Sequence, residues 1–356
     1  MAIQGYNTVA SRNLIRAAQG MLEHAQPITV LGDFGEQREM PPNSTDTLVF
    51  RRTLPFGASA SGSQGSGVSG STNQYIGTPN ITANNFVLAE GVTPNSNTIG
   101  FQDISVTLQQ FGVLFKFSSK AESLYEDDIP GEMVKLTGET LAEVLELVRY
   151  GVFKAGTQVV YANGSGRTSV NSAISLNKLR QTARNLEANR GKRVTQRLAP
   201  SVNFGTKPVQ PAYIVFCHTD GEADVRNLPG FTRIEEYGSF KPIHDREIGA
   251  CEQFRFITSP LLSAFAGGGS STLNGMVSVG GSAVDVYPFL VLAESAWGQV
   301  ALRGMNAVAP TVLKASTVSH ANPLGQFGYV GASTWFNAVR LNEAWCARLE
   351  CGVSSL

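Results

Sequence analysis

The hydrophobic positions of this chain change period several times, and the changes mark its elements. In TDTLVFRRTLPF, Leu48, Phe50, Leu54 and Phe56 share one parity while Thr47, Val49 and Arg51 take the other, the alternation of a half-buried strand. A second such segment, FQDISVTLQQFGVLFKF, puts Ile104, Val106 and Leu108 on one face, and Phe111, Val113, Phe115 and Phe117 continue on the opposite parity. The slip at Gln109 and Gln110 predicts a bulge or bend in one long strand. Between the two segments lies GASASGSQGSGVSGSTNQ, residues 57–74, without a charge or an aromatic ring. Composition admits a flexible linker between domains or the tip of a long loop. Neither flanking segment is large enough to be a domain, and an isolated hairpin is marginal in water. The pattern therefore favours a long protruding hairpin stabilised chiefly on another surface, with a hairpin folded back on its own domain as the alternative.

The period then becomes helical. In GEMVKLTGETLAEVLELVRYGVFKAGTQVVY, 131–161, Leu141, Val144, Leu145, Val148 and Val152 fall at i, i+3, i+4, i+7 and i+11, with Pro130 just before the start. At the ~1.5 Å rise of an α-helix this rod would be about 45 Å long, enough to act as a spine for a domain. A second helix is predicted in SLNKLRQTARNLEANRGKR, with Ser175 as cap, Leu176, Leu179, Ala183 and Leu186 on one side, and Gly191 as stop. From Ala212 the pattern is mixed: AYIVFCHTD, FRFITSP and SAVDVYPFLVLAESAWGQVAL predict strands and EADVRNLPGF a short helix with a turn. The closing GQFGYVGASTWFNAVRLNEAWCARLECG alternates as strands do. Residues 212–303 are expected to form an inserted domain, with 304–356 returning to the domain that holds the helices. Residues 1–45 carry a short helical pattern (Val9, Leu14, Ile15, Ala18, Met21, Leu22) and then breakers, the signature of an arm held by the rest of its domain or by a neighbouring chain.

Lysine plus arginine equals aspartate plus glutamate, 28 against 28, so no global field draws the chain to nucleic acid or an anionic membrane. One local patch stands out between Leu176 and Arg197: Lys178, Arg180, Arg184, Arg190, Lys192, Arg193 and Arg197 against Glu187 alone. It is read as a phosphate or nucleic-acid contact, or as a solvated or salt-bridged face whose acidic partner would be Glu122, Glu126, Asp127, Asp128, Glu132, Glu139, Glu143 and Glu146. No signal peptide or membrane-length apolar run occurs, which predicts a soluble cytoplasmic product. Cys217, Cys251, Cys346 and Cys351 have no CxxC spacing and are expected as buried apolar residues. No phosphate-loop, dinucleotide, serine-elbow or zinc-protease motif is present. His218 with Asp220 and Glu222 after a buried strand, His244 with Asp245 and Glu247, and His320 are the only histidine settings of interest, and polar turns account for them. No catalytic residue, metal ligand or cofactor is therefore expected. The sequons at Asn80 and Asn163 carry little weight without a secretion signal.

The order of these elements, with MPPNSTDTLVFRR leading into the hairpin, LAEGVTPNSNTIGFQDISVTLQQFGVLFKFS leading out, PAYIVFCHTDGEADVRNLPGF opening the insert and HANPLGQFGYVGASTWFNAVRLNEAWCARLE closing the chain, resembles tailed-bacteriophage major capsid proteins of the Hong Kong 97-type fold. The wording is most similar to the podophages related to coliphage N-four, over residues 30–351. The resemblance implies an α+β fold with an N-terminal arm (1–45), an extended β-hairpin loop (46–117, flexible tip 57–74), a spine-helix peripheral domain (118–211, resumed at 304–356) and an inserted axial domain (212–303). It implies a structural protein, not an enzyme, self-assembling into hexamers and pentamers of an icosahedral shell around double-stranded DNA bound without sequence specificity. Separate scaffolding, portal and decoration proteins, a virion location and assembly in the cytoplasm of the infected bacterium follow. No fused scaffold is expected, because no long segment precedes the arm. Arg51 and Arg52 at the hairpin base are expected to pair with Asp127 and Asp128 of the same or a neighbouring chain, and the basic helix (Lys178, Arg180, Arg184, Arg190, Lys192, Arg193) is a candidate DNA-facing surface. Alternatives are an encapsulin-like cargo compartment of the same fold, or a hydrolase with a site near His218.

Overall fold

At Leu108 the chain leaves one sheet for another. The computed structural model describes residues 21, 29–41, 45–53, 87–88, 90–91, 93, 101–124, 129–194, 211–238, 240–303, 308–318 and 322–356; the tip 57–74, Asn80, Asp127, Asp128, Arg197, His320 and most of the arm lie outside them. In chain order the strands are β1 (Glu36–Met40), β2 (Thr47–Thr53), β3 (Phe101–Thr107), β4 (Gln109–Ser118), β5 (Val159–Tyr161), β6 (Tyr213–Cys217), β7 (Phe231–Arg233), β8 (Glu247–Cys251), β9 (Phe254–Thr258), β10 (Tyr287–Leu292), β11 (Trp297–Leu302), β12 (Val308–Leu313), β13 (Phe327–Arg340) and β14 (Cys346–Cys351). The helices are α1 (Ser119–Leu124), α2 (Ile129–Lys154), α3 (Leu176–Ala188) and α4 (Glu222–Arg226).

Strands β2 and β3 form an antiparallel ribbon from Thr47↔Thr107 to Thr53↔Phe101. Leu108 closes it by donating its N–H to the Asp46 carbonyl at 2.9 Å. From Gln109 the chain pairs instead with β13, Gln109↔Phe336 through Ser118↔Phe327, in a five-stranded sheet that also contains β1, β11 and β12. The parity slip is thus a switch between sheets, not a bulge in one strand. Each sheet needs its apolar side chains on a different side of the chain, and a one-residue step supplies that reversal.

Helix α2, about 39 Å long at the usual rise, covers one face of the five-stranded sheet: Leu141, Ile129 and Met133 pack with Phe117, Val330 and Ala332. It ends at Lys154, not near Tyr161, and Pro130 sits in its first turn, where a missing N–H costs nothing. Its buried line is Thr137, Gly138, Leu141, Ala142, Glu146, Arg149, Tyr150 and Phe153. Of the stripe expected from periodicity only Leu141 is in that line; Leu145, Val148 and Val152 are partly buried beside it. Gly138 is needed because a Cβ there would lie 2.3 Å from the Met21 carbonyl oxygen.

The seven-stranded sheet runs β5-β14-β10-β6-β9-β8-β7. One face packs under α3 and α4 through Leu179, Ala183, Leu186 and Val225 against Val215, Cys217, Phe256 and Leu349. The opposite face, Ile214, Phe216, Leu290 and Leu292, meets Tyr150 and Phe153 of α2, Trp297 of β11 and Phe336 of β13. The two sheets therefore share a core, with Phe153 and Trp297 edge to face at 5.1 Å. Sheet membership cuts across the expected boundaries. β11, inside 212–303, belongs to the five-stranded sheet, while α3 and β14, expected with the spine helix, lie on and in the seven-stranded one. Among the described residues no helix is long and apolar enough to cross a membrane.

Candidate interaction surfaces

The β2–β3 ribbon has two unlike faces. Leu48, Phe50, Ile104 and Val106 pack inward on Met40, Val300, Val339 and Leu341. The other face leaves Val49 47% and Phe101 58% exposed. Arg51 grips Asp103 with two parallel bonds, Nε to Oδ1 and Nη2 to Oδ2, both 2.8 Å. The hydrogen bond and charge of that pair hold Asp103 below the usual carboxylate range and raise Arg51. Arg51 is thus engaged by its cross-strand neighbour, and the Asp127 and Asp128 expected for it lie outside the described residues. Arg52, on the inward face, donates from Nε and Nη2 to Gln102 Oε1 at 3.3 and 3.1 Å.

The five-stranded sheet also has an uncovered face. Val330 and Ala332 of β13 point to α2, so the alternate residues Phe327, Tyr329, Gly331, Ser333 and Trp335 point away from it. Cross-strand partners extend this face: Gln110 opposite Trp335, Leu114 opposite Gly331, Lys116 and Leu313 opposite Tyr329. Leu114 is 64% exposed, Leu313 45%, and Trp335 and Phe327 37% each. Lys116 stacks its Nζ 3.7 Å over the Phe327 ring.

The basic helix is only partly free. Arg180 is bonded to Glu252, and Arg193 to Glu187 at 2.8 Å, while Arg184, Arg190 and Lys192 are exposed. Among the described residues Glu252 and its own Glu187 pair with it, and Glu126, Asp127 and Asp128 of the 122–146 run lie outside them. Within that run Glu146 is fully buried: its Oε1 accepts from the N–H groups of Val30 and Leu31 at 2.9 and 2.6 Å, and its Oε2 from Arg149 at 3.0 Å. Glu143 faces solvent.

His218 is a structural cap. Its Nδ1 lies 3.1 Å from both the Asp220 N–H and Asp220 Oδ2, and its Nε2 lies 3.1 Å from the Pro260 carbonyl oxygen. Asp220 is in turn held by the Tyr287 hydroxyl at 2.8 Å. Both ring nitrogens are thus committed to the turn. His244 Nδ1 likewise accepts from the Arg246 N–H at 3.0 Å, and Glu247 is buried against Arg255, Tyr237 and the Ile243 N–H. Among the described residues no group of three or more histidine, cysteine or acidic side chains could hold a metal ion. The four cysteines are buried thiols, pushed up by burial.

Against known structures, the chain superposes on the capsid of Ralstonia phage GP4 with a TM-score of 0.59, covering 90% of this chain and 87% of that one at 10% identity. The fold is that of phage capsid proteins. The cyanophage Pam1 capsid (TM-score 0.54, 12% identity, 90% and 91% covered) and the cyanophage P-SCSP1u capsid (0.53, 12%, 92% and 89%) match it as well. In sequence, the major capsid protein of Pseudomonas phage KPP21 is 20% identical over 283 residues, 71% of this chain and 69% of that protein. No protein-family model matches the chain.

Proposed function

We propose that this chain is the major capsid protein of a tailed phage, of the Hong Kong 97 type and the branch related to coliphage N-four. It assembles into hexamers and pentamers of an icosahedral shell that encloses double-stranded DNA. The observation that carries this reading is the uncovered sheet face of Leu114, Leu313, Phe327 and Trp335 together with Val49 and Phe101 of the ribbon, on a fold shared with phage capsid proteins. A monomer gains nothing from leaving such apolar surface in water, whereas a shell covers it with neighbours. Each subunit touches several others, so many modest contacts suffice.

In this reading the seven-stranded sheet is the axial domain, the five-stranded sheet with α2 is the peripheral domain, and the β2–β3 ribbon is the base of the extended loop that reaches an adjacent subunit. Arg184 on α3 and Arg190 and Lys192 just past its end, none ion-paired among the described residues, face the DNA together with Lys178 and the paired Arg180 and Arg193. Scaffolding, portal and decoration proteins complete the virion, and assembly takes place in the cytoplasm of the infected bacterium. The test is expression of the whole chain, alone and with a candidate scaffolding protein, read by size-exclusion chromatography and negative-stain electron microscopy. Shells, tubes or capsomer rings are expected. A uniform monomer or dimer under both conditions refutes the proposal.

A further inference from the structure

We propose that Arg52 is an intersubunit cation, whose guanidinium, in a cleft between the β2–β3 ribbon and β1, receives the carboxylate of Glu143 from helix α2 of a second copy of this chain. The proposal rests on the shell reading above and names one of its contacts.

The cleft, about 210 Å³, is lined by Phe50, Ile104 and Leu341, by one carboxylate, Glu36, and by three arginines, Arg38, Arg51 and Arg52. Two of these are neutralised within the chain, Arg38 by Glu36 at 2.9 Å and Arg51 by Asp103 at 2.8 Å. Arg52 has only the neutral amide oxygen of Gln102, and among the described residues no carboxylate acts on it. Burial pushes its guanidinium down to about 10. A half-buried cation without a counter-ion destabilises the isolated subunit, and the strain is relieved when a carboxylate arrives from outside.

Glu143 has the matching chemistry. It lies on the solvent side of α2 and forms no ion pair among the described residues. One turn further along the same face is Leu147, 48% exposed, and two turns back is Leu136, 49% exposed. A carboxylate beside uncovered leucines complements a cation beside apolar walls. The rigid helix also delivers it at low entropic cost.

The experiment uses whole chains carrying Arg52→Glu or Glu143→Arg, assembled separately and as an equal mixture, with the assembled fraction read by size-exclusion chromatography and electron microscopy. Each variant alone is expected to need about tenfold more subunit to assemble, or more. The mixture is expected to recover in part, because an altered cleft meets an altered helix of opposite charge wherever the two chains alternate, which a five-membered ring cannot do throughout. If the mixture stays as defective as the single variants while wild type assembles, the proposal is overturned and the shell reading stands. If wild type itself forms no assembly, the shell reading fails and takes the proposal with it. Arg52→Leu guards against a folding artefact: it is expected to leave the melting temperature of the dilute subunit unchanged or raised while weakening assembly about tenfold or more. A lowered melting temperature with assembly unchanged makes Arg52 purely structural and overturns the proposal.

Discussion

Removing the Glu146 carboxylate should unlock the segment before β1 from the spine helix. Oε1 of Glu146 takes two backbone N–H groups, from Val30 and Leu31, and Oε2 takes Arg149, which also donates from Nε to Gln299 Oε1 at 3.0 Å. Gln299 closes the circuit by donating to the Gly32 carbonyl at 2.8 Å. Burial pushes the Arg149 guanidinium down, and the charge and hydrogen bond of Glu146 oppose that shift. Glu146→Leu leaves a buried guanidinium without its counter-ion, a loss of about 3–5 kcal/mol. Glu146→Gln keeps one oxygen for the two amides but loses the charge, and should cost about 2 kcal/mol, the difference between charged and neutral hydrogen bonds. Replacing both partners, Glu146→Leu with Arg149→Met, should recover part of the loss, the two orphaned amides still costing about 2 kcal/mol or more together. The measurement is the urea midpoint of the dilute, unassembled subunit at unchanged slope. If Glu146→Leu costs less than about 1 kcal/mol, or the double variant is no more stable than that single one, the reasoning about a buried compensated charge is wrong.

Three further outcomes are expected. Asp103 has a folded-state pKa below its unfolded value, so the Arg51 pair contributes above the ordinary carboxylate range and is lost as pH falls through the folded value. The protection of β2 and β3 amides relative to their intrinsic exchange rates should fall on acidification in wild type, and Asp103→Asn should remove that pH dependence. Gly138→Ala should destabilise by about 1–3 kcal/mol in thermal melts, because the clash with the Met21 backbone outweighs the roughly 1 kcal/mol that alanine brings to a helix interior; a more stable variant would contradict the close approach. All four thiols should resist a thiol reagent at pH 8 in the native subunit and react together in denaturant, since each is buried and its thiolate disfavoured; rapid native labelling of any one would contradict this.

The local periods were legible in the sequence because they depend only on neighbouring residues. Alternation gave the ribbon its buried Phe50, Ile104 and Val106, and a spacing of three and four gave α3 its Leu179, Ala183 and Leu186 face. The ring nitrogens Nδ1 of His218 and His244 each accept a backbone N–H two residues on. Which sheet a strand joins was not legible. The slip at Gln109 looked like a bulge because parity records a reversal of facing without saying what lies on either side. β14 reads like β13, yet pairs with β10 and β5 in the other sheet. Buried charge was misread for the same reason. Glu146, counted among the acidic partners of the basic patch, becomes core only because Val30 and Leu31, more than a hundred positions earlier in the chain, bring two N–H groups to its carboxylate. The sequence by itself determined where the chain is strand or helix and which side of each element is apolar. Tertiary structure alone decided which apolar sides meet, which charges are compensated inside and which, like Arg52, have no carboxylate among the described residues, because those balances are set by groups far apart along the chain.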